Sequence, residues 1–366
     1  MLHSRLRPAP LRKASTATPT DAAPAPDFHD ADRSSDFEES AEDLFGAFLP
    51  HLFPDDAPSF YGDPGQYLLY SSPHYGELEI MIPSYPGQDK KKSEEGAIGP
   101  EKKEGATQTN QAEDGRQLFA HFLWSAGMVV AEGVENASCP ATENDSDAQK
   151  EAREIWSVDG ETVMELGAGK SIESIRYNIQ LTDIYHPGAA LPSLICALAN
   201  ASLVVATDHP SSPALTGAIE FNVKQNLLKR QTSQQTAVAI QPHEWGTVTD
   251  SFSQSHKGTF TRIIAADCYW MRSQHKNLAR TMEWFLAPGG RVWCVSGFHT
   301  GRAIVADFFK TALENGFEVE RIFERDLVSR DKEGGEIRRE WAPFREGEGP
   351  GNRQRWCVIA VLKRRE

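Results

Sequence analysis

The sequence predicts an α/β fold in which a Rossmann-like, mostly parallel sheet carries helices on both faces. Six short β-rich runs between Thr162 and Leu362 alternate with segments of helical composition. Apolar strands separated by helices favour parallel pairing, because each crossover helix covers one face of the sheet. No run approaches the roughly 18 apolar residues of a membrane-spanning helix.

The composition limits the classes of function. The chain has 366 residues, with 38 Lys and Arg against 52 Asp and Glu, a formal net charge of −14. Nucleic acid is an unsuitable main partner, since phosphate neutralisation requires clustered positive charge. Five scattered cysteines form no CxxC pair, which argues against a zinc site or a disulfide framework and indicates a reducing compartment. We expect a cytoplasmic protein that neither enters a membrane nor binds nucleic acid.

Residues 1–43 are predicted to be a disordered tail. Residues 1–20 hold four basic residues and no acid, a composition typical of a mitochondrial presequence, but three prolines interrupt the amphipathic helix that such a signal needs. Residues 21–43 hold nine acids and one Arg. Neither stretch has enough apolar side chains to offset the entropy of ordering. One folded domain is expected over residues 44–366.

Three segments precede the sheet. Tyr67–Ser84 contains two short runs around a turn, which predicts a β-hairpin. Residues 88–115 hold one large apolar residue, Ile98, and are predicted to form a disordered loop. Leu118–Val130 has an apolar stripe that predicts a helix.

The sheet and its helices follow in order. The predicted strands are 162–166, 203–207, 237–240, 262–266, 291–296 and 356–362. Helices are predicted at Asn277–Leu286 and at Arg302–Asn315, where Gly316 ends the second.

Two of these strands end in residues suited to a ligand. The first is followed by Gly167-Ala168-Gly169, where glycines allow backbone N–H groups to approach a bound molecule closely. The second ends in Asp208, and an acid at that place typically binds ribose hydroxyls. Because ligands of such sheets bind at the carboxyl ends of the strands, the pair predicts a nucleoside-containing cofactor.

The spacing between these two motifs is too long. Gly167 and Asp208 are 208 − 167 = 41 residues apart, against an expected separation of about 20. Without residues 170–188 the separation is 41 − 19 = 22, and the chain reads ELGAGAALPSLICALANASLVVATD, a continuous strand, turn, helix and strand. The segment is a surface insertion or, as we favour, a retained intron, since codons for Gly169-Lys170-Ser171 can contain a splice donor. A long insertion is least expected in a turn that contacts a cofactor.

With that segment set aside, the chain resembles a known family. The motifs ELGAG, LPSL, VVATDHP, EFNV, HEWG, AADCYWMRSQHKNL and VSGFHTGR, in this order, are similar to those of seven-strand S-adenosyl-L-methionine-dependent methyltransferases. The group is that of the protein N-terminal and lysine methyltransferases of translation elongation factor 1-alpha, also labelled nicotinamide N-methyltransferase-like. The resemblance implies a seven-stranded class I methyltransferase sheet, and it runs from about Tyr67 to the C-terminus outside residues 88–115 and 170–188.

The resemblance also implies roles for individual residues. The cofactor would contact Gly167, Ala168 and Gly169 with its methionine part and Asp208 with its ribose; further contacts would come from Trp124, Trp245 and Ala266. S-adenosyl-L-methionine has no pyrophosphate, so a third glycine is not required, which argues against a nicotinamide dinucleotide enzyme. Trp124 and Trp245 could equally be core residues.

Acceptor chemistry is expected just after the fourth strand. Asp267-Cys268-Tyr269-Trp270 occupies the place where related protein methyltransferases carry an acid, two residues and a Tyr. Trp270 departs from that Tyr, a departure that the elongation-factor group shares. Asp267 would be catalytic by holding the acceptor amine, or would instead cap the next helix. His299 and Arg302 are further candidates for substrate contact, and no metal is needed for methyl transfer from a sulfonium.

The expected function is methylation of the N-terminal amine and adjacent lysine of elongation factor 1-alpha by a monomeric enzyme. One alternative is a nicotinamide or other small-molecule N-methyltransferase, which a closed pocket roofed by residues 44–85 would favour. Another is a non-catalytic binding protein, if residues 170–188 are translated and break the cofactor turn.

Overall fold

The computed structural model describes residues 2–10, 60–62, 65–82, 123–142, 145–167, 189–210, 212, 214–228, 236–298 and 300–365. The predicted loop at 88–115, the segment 170–188 and residues 11–43 of the predicted tail lie outside these ranges. The helices of at least five residues are α1 (Ser125–Ala137), α2 (Asp147–Trp156), α3 (Leu191–Leu198), α4 (Ala218–Asn226), α5 (Ser251–Ser255), α6 (His275–Phe285), α7 (Arg302–Glu314) and α8 (Pro350–Gln354). The strands are β1 (Leu6–Pro8), β2 (Phe60–Tyr61), β3 (Tyr67–Ser72), β4 (Gly76–Met81), β5 (Leu123–Trp124), β6 (Thr162–Leu166), β7 (Leu203–Asp208), β8 (Val238–Pro242), β9 (Phe260–Ala266), β10 (Leu286–Gly297), β11 (Phe317–Arg330), β12 (Glu336–Glu340) and β13 (Trp356–Arg364).

The main sheet has the strand order β12-β11-β13-β10-β9-β6-β7-β8. Neighbours from β8 through β10 pair in parallel, whereas β13 runs antiparallel to both β10 and β11. The predicted mostly parallel α/β sheet is confirmed, and all six predicted strands form, with ends that differ by a few residues. The described sheet has eight strands where seven were predicted, because β12 adds an antiparallel edge to β11.

Helices cover both faces of this sheet, as predicted. Successive strand residues alternate between two buried clusters, as the period of two in a strand requires. Val163 and Ile264 pack on one face with α1 and α3, whereas Met164 and Ile263 pack on the other with α6 and α7. Burial on both faces explains why the central strands are almost continuously apolar.

The N-terminal residues build a second, smaller sheet of order β1-β3-β4. Its hairpin of β3 and β4 confirms the prediction for Tyr67–Ser84. The prediction of disorder for residues 1–43 is wrong for residues 2–10, since Leu6 pairs with Tyr70 and both Leu2 and Leu6 are buried. Such long-range burial leaves no local pattern in a stretch rich in Arg and Pro.

Buried charges fix this N-terminal strand to α1. Arg5 donates to Glu135 at 2.5 Å and forms a 3.1 Å ion pair with Glu132, while the hydroxyl of Tyr70 donates to Glu135 at 2.9 Å. Glu132 also accepts from Arg325 of β11, and these cations lower the pKa of Glu132 to about 2 against the opposing effect of its burial. A buried carboxylate is tolerable only when it is paired in this way.

Two asparagines of α4 attach the small sheet to the main one. Asn222 accepts from the N–H of Met81 at 2.7 Å, and Asn226 accepts from the N–H of Glu79 at 2.9 Å. Asn222 also donates to the carbonyl of Ala189 at 3.0 Å. Asn222, which belongs to the EFNV motif, therefore joins the edge of β4 to the chain just before α3. Asn226, one helical turn further on, adds a second bond to β4.

Helix α1 begins later than the sequence predicted. Leu123 and Trp124 form β5 with β2, and the helix runs from Ser125 to Ala137 instead of from Leu118 to Val130. Residues 118–122 lie outside the described residues. Within the described ranges, no helix combines the length and the apolarity that crossing a bilayer requires.

Candidate active site

The predicted site residues follow strands that end at one edge of the sheet. Because β6 to β10 are parallel, their carboxyl ends lie side by side: Leu166 pairs with Ala265, Ala266 with Val295, and Asp208 with Pro242. Gly167, Asp208, Ala266 and Asp267 are thereby brought to neighbouring positions along this edge, where ligands of such sheets bind.

The turn after β6 begins as predicted. Gly167 has φ of +63°, a conformation that glycine adopts without the strain of a side chain. Ala168 and Gly169 lie outside the described residues. Just before the turn, the buried carboxyl of Glu165 accepts from the N–H of Ser193 at 3.0 Å and from its hydroxyl at 2.5 Å. Burial raises the pKa of Glu165 to about 7, although both bonds act in the opposite direction.

The pair of Glu165 and Ser193 connects the two sides of segment 170–188, and the sequence analysis missed it. The two residues are 193 − 165 = 28 positions apart, or 28 − 19 = 9 without the segment. At that shorter spacing, an acid at the end of a buried strand followed by Ser in the first turn of the next helix is a recognisable signal. The bond fixes where α3 begins relative to the end of β6.

Asp208 ends β7 with its side chain buried. Its Oδ1 accepts from the N–H of His209 at 2.8 Å, and its carbonyl accepts from the N–H of His243 at 2.7 Å. The second bond holds the start of the HEWG motif against the end of β7. Asp208 is therefore placed where the sequence predicted the ribose-binding acid.

Trp245 is buried at the same edge, on the face covered by α6. The residue after it, Gly246, has φ of +86°, and a Cβ there would lie 2.7 Å from the Asn277 amide oxygen. The N–H of Gly246 donates to the hydroxyl of Thr281 at 2.8 Å. Helix α6 thus fixes the loop that carries Trp245, and glycine is required because no side chain fits between them.

His243 lies in an apolar pocket beside this loop. Its ring is 5.1 Å from that of Phe285 and 6.2 Å from that of Phe252, and among the described residues neither ring nitrogen has a hydrogen-bond partner. Burial lowers the pKa of His243 to about 4, so the imidazole is neutral near pH 7. Histidine here is a packing group and not a proton carrier.

Asp267 is held in a strained backbone conformation. Its φ is +53°, which is rare for a residue other than glycine and costs about 1–3 kcal/mol. Its carboxyl Oδ1 accepts from the N–H of Gly297 at 2.9 Å and from the hydroxyl of Ser296 at 3.1 Å. The alternative that Asp267 caps the next helix is wrong: Met271 and Gln274 occupy the cap positions before the following helical segments.

The two residues after Asp267 are structural. The thiol of Cys268 is buried and donates to the carbonyl of Leu166 at 3.2 Å, and the hydroxyl of Tyr269 donates to that of Ala265 at 2.5 Å. Trp270 is half-buried and packs against the cluster on the α6 and α7 face. These contacts hold the Asp267–Trp270 segment against the ends of β6 and β9.

Trp124 is half-buried at the cap position before α1, with extended backbone angles. Helix α1 packs along α3, where Gly127 faces Pro192 of the LPSL motif. Trp124, the predicted cofactor contact, therefore lies directly before α1, and α1 packs on α3, the helix that follows the glycine turn. The contact of Trp124 with the cofactor stays a prediction.

Arg302 has a different role from the one expected. It is buried, forms a double hydrogen bond with Glu324 at 2.6 and 2.8 Å, and donates to Glu348 at 2.5 and 2.8 Å. Its guanidinium also lies 3.9 Å from the centre of the Phe298 ring. All these partners are within the protein, so Arg302 supports the loop that follows β10. His299 lies outside the described residues.

The described residues fit S-adenosyl-L-methionine. Gly167 supplies a turn without a side chain, Asp208 supplies an acceptor for ribose hydroxyls, and Trp245 supplies a buried aromatic surface suited to adenine. All three follow adjacent strands β6, β7 and β8. Within the described ranges, no three His, Cys, Asp or Glu side chains are grouped closely enough to hold a metal ion.

Known proteins with similar sequences carry related names. A family model described as lysine methyltransferase matches residues 105–315. The protein N-terminal and lysine N-methyltransferase EFM7 of Yarrowia lipolytica is 29% identical over 224 residues, covering 57% of this chain and 68% of the relative. EFM7 of Eremothecium gossypii is 28% identical over 212 residues, covering 56% and 66%. A solved TehB-like SAM-dependent methyltransferase from Corynebacterium glutamicum aligns over 61% of this chain and 90% of its own, with 14% identity and a TM-score of 0.36.

The family model covers more than half of the chain and includes the turn after β6, the ends of β7 to β10 and the residues that follow them. Its match agrees with the strand order and with the cofactor that the edge fits. The protein is an S-adenosyl-L-methionine-dependent methyltransferase of class I fold. This chain belongs to the lysine methyltransferase family.

Proposed function

We propose that this enzyme methylates the N-terminal α-amine and the adjacent lysine of translation elongation factor 1-alpha. The observation that carries the proposal is the buried carboxylate of Asp267, held by Ser296 and Gly297 at the end of β9, one residue beyond Ala266. The names of the related EFM7 proteins, which are protein N-terminal and lysine N-methyltransferases, support a protein amine as the acceptor. The resemblance of the DCYW and GFHTGR motifs to the methyltransferases of elongation factor 1-alpha is the reason for choosing this factor.

The chemistry required of the protein is modest. Bound S-adenosyl-L-methionine supplies a methyl group on a sulfonium, which any correctly placed uncharged amine can accept. The carboxylate of Asp267 would attract the substrate ammonium and orient the amine once its proton is lost. An α-amine, with a pKa near ~8, loses its proton more readily than a lysine near ~10.4, so N-terminal methylation should be the faster reaction at neutral pH.

The substitution Asp267→Asn tests this role, because asparagine keeps the shape and one acceptor oxygen while removing the charge. We expect kcat/KM for the factor to fall by about 10²-fold, the scale of a lost acid or base, with an unchanged Kd for the cofactor. Mass spectrometry of the factor's N-terminal peptide, after incubation with labelled cofactor, measures the transfer. Labelled methylnicotinamide together with an unlabelled peptide would instead establish the small-molecule alternative.

We further propose that residues 170–188 are absent from the active protein. The bond between Glu165 and Ser193 supports this, since it holds the residues on either side of the segment close together, as a chain without the segment requires. The proposal also includes a methyltransferase domain of residues 44–366, to which residues 2–10 add strand β1 of the small sheet. It further takes the protein to be a cytoplasmic monomer. Transcript sequencing across the codons for residues 167–191 tests the status of the segment directly.

A further inference from the structure

A loop whose ends are fixed by hydrogen bonds to buried side chains lies beside the acceptor side of the site. Residues 341–348, which we call the Phe344 loop, follow β12 and lie against the residues after β10. The ring of Trp341 stacks on that of Phe298 with centroids 5.9 Å apart and planes 24° apart. Phe298 is the neighbour of Gly297, whose N–H holds Asp267 at 2.9 Å. The loop is therefore continuous with the wall of the acceptor site.

Both ends of the Phe344 loop are tied to one buried guanidinium. Arg302 donates to the carbonyl of Ala342 at 3.0 Å and to Glu348 at 2.5 and 2.8 Å. From the inside, the fully buried carboxylate of Glu324 accepts from the N–H of Ala342 at 3.2 Å and from Arg339 at 2.6 Å. These bonds fix the loop before any partner binds, which lowers the entropy cost of association.

Between its fixed ends the loop presents Phe344 to solvent. This side chain is 75% exposed, and among the described residues the other exposed large apolar side chains are those of Leu228 and Leu313. It lines a cavity of about 460 Å³ together with Arg339, Arg345 and Asn352. An exposed aromatic ring on a rigid support beside a cavity has the properties of an energetic centre in a protein–protein interface.

The charges around Phe344 cancel. Glu324 and Glu348 are paired within the protein with three arginines, which are Arg302, Arg339 and Arg345. A third glutamate, Glu346, lines the same cavity and brings the three positive charges to balance. This balance differs from the net charge of −14 over the whole chain. A partner at this surface is therefore selected by apolar contact and not by its charge.

We propose that the Phe344 loop is a docking surface for an apolar side chain of the folded protein substrate, separate from the acceptor residues that react. The inference rests on the proposed function only in taking the partner to be the protein substrate. It implies that recognition extends beyond the few residues around the acceptor amine.

The substitution Phe344→Ala tests the docking surface, with Leu228→Ala as the matched control. Leu228 is 65% exposed but follows α4 near β8, at the opposite end of the sheet from β12. Kinetics with intact elongation factor and with a short N-terminal peptide, together with calorimetric binding of the factor, give the readouts. We expect Phe344→Ala to raise the KM and Kd for the intact factor by about five- to thirtyfold. We expect kcat, the cofactor Kd and the KM for the peptide to stay within about twofold, and Leu228→Ala to change none of them.

The KM difference between Phe344→Ala and wild type should also persist as salt rises, since apolar contacts are not screened. Equal KM values for Phe344→Ala and wild type on a factor that the wild type methylates would overturn the docking surface and leave the proposed function intact. Equal losses in Leu228→Ala would overturn it as well. Binding of the factor that depends on Phe344, without methyl transfer in the wild type, would support the surface and overturn the proposed function.

Discussion

The hydroxyl of Ser296 donates to Oδ1 of Asp267 at 3.1 Å, across the gap between the ends of β10 and β9, and shares its proton with the carbonyl of Gly297 at 2.8 Å. Together with the N–H of Gly297 it directs a carboxylate whose backbone is strained at φ of +53°. The two donors fix the direction in which this carboxylate points. Ser296 is thus a positioning residue for the group that we propose holds the substrate amine.

Substitution of Ser296 by Ala should lower kcat for the protein substrate by about five- to tenfold, less than Asp267→Asn, because the Gly297 donor remains. Ser296→Thr keeps the hydroxyl and should recover most of the rate. The measurement is a pH profile of kcat alongside the cofactor Kd and the free energy of unfolding. A fall in cofactor affinity or stability as large as the fall in kcat would show that Ser296 acts only on the fold.

Glu165 makes the stability of the enzyme depend on pH. Burial raises its pKa to about 7 from its ordinary value of 4.5, so the folded state binds more protons than the unfolded state between these values. The stabilisation is complete below about 4.5 and is lost as pH rises through 7. We expect Glu165→Gln, which keeps an acceptor for Ser193, to gain on the order of 2 kcal/mol relative to wild type between pH 5 and 8. Urea unfolding at the two pH values measures it; parallel curves for both proteins would contradict it.

His243 should act in the opposite pH direction. Burial lowers its pKa to about 4 from 6.5, so the unfolded state binds more protons and stability falls as pH drops from 6.5 towards 4. The loss at this residue is about 2 kcal/mol at pH 5. His243→Phe keeps an aromatic ring between Phe252 and Phe285 and should abolish the loss. The measurement is the free energy of unfolding of the wild type and of His243→Phe at pH 5 and 7. An equal loss of stability in both proteins at pH 5 would assign the pH dependence to other groups.

Gly246→Ala should weaken cofactor binding by at least about tenfold, since the added Cβ would meet Asn277 at 2.7 Å and displace the loop of Trp245. Gly258→Ala is the control: Gly258 also has positive φ, but a Cβ there would lie 3.9 Å from the carbonyl oxygen of Leu286. Both variants lose stability from the backbone, about 1–3 kcal/mol. Calorimetry that finds equal cofactor affinity in both would show that Trp245 lies away from the adenine.

A chain without residues 170–188 should bind S-adenosyl-L-methionine more tightly than the full chain, because the turn after β6 then regains the length typical of such sheets. In the shortened chain, Asp208→Ala should weaken binding by about 1.5–3 kcal/mol, the effect of a lost hydrogen bond to a charged group. Calorimetry on the three proteins provides the comparison. Equal affinity of the full and shortened chains would mean that the segment is a tolerated insertion.

The order of strands and the position of the motifs could be predicted because they depend on local patterns. Runs such as residues 203–207, LVVAT, are almost continuously apolar, and the motifs come directly after them. Strand β11 was missed because its sequence, FEVERIFERDLVSR, is rich in charge. Its acids and bases are buried against partners far along the chain: Glu324 against Arg302, and Arg325 against Glu132, 193 residues away. No local pattern reports such pairing.

For the site, the sequence predicted the residues that follow the strands but not the residues that support them. Asp208 and Asp267 follow recognisable strands, so their positions could be inferred from the sequence. The supports of the site, among them Ser296 and Asn277, come from other elements and become visible only when the strands are placed side by side. The same holds for Arg302, whose buried partners lie on β11 and in the Phe344 loop.

Strand β1 determines how the protein tolerates truncation. It covers the outer edge of β3, so a chain shortened to begin at Leu44 would leave β3 as an open edge strand beside a newly exposed apolar patch once covered by Leu2 and Leu6. Open edges of this kind recruit strands from other molecules. The shortened protein would also keep Glu135 buried without Arg5. The first ten residues thus protect the protein from aggregation. An affinity tag is better placed after the exposed Arg365 than before the buried Leu2.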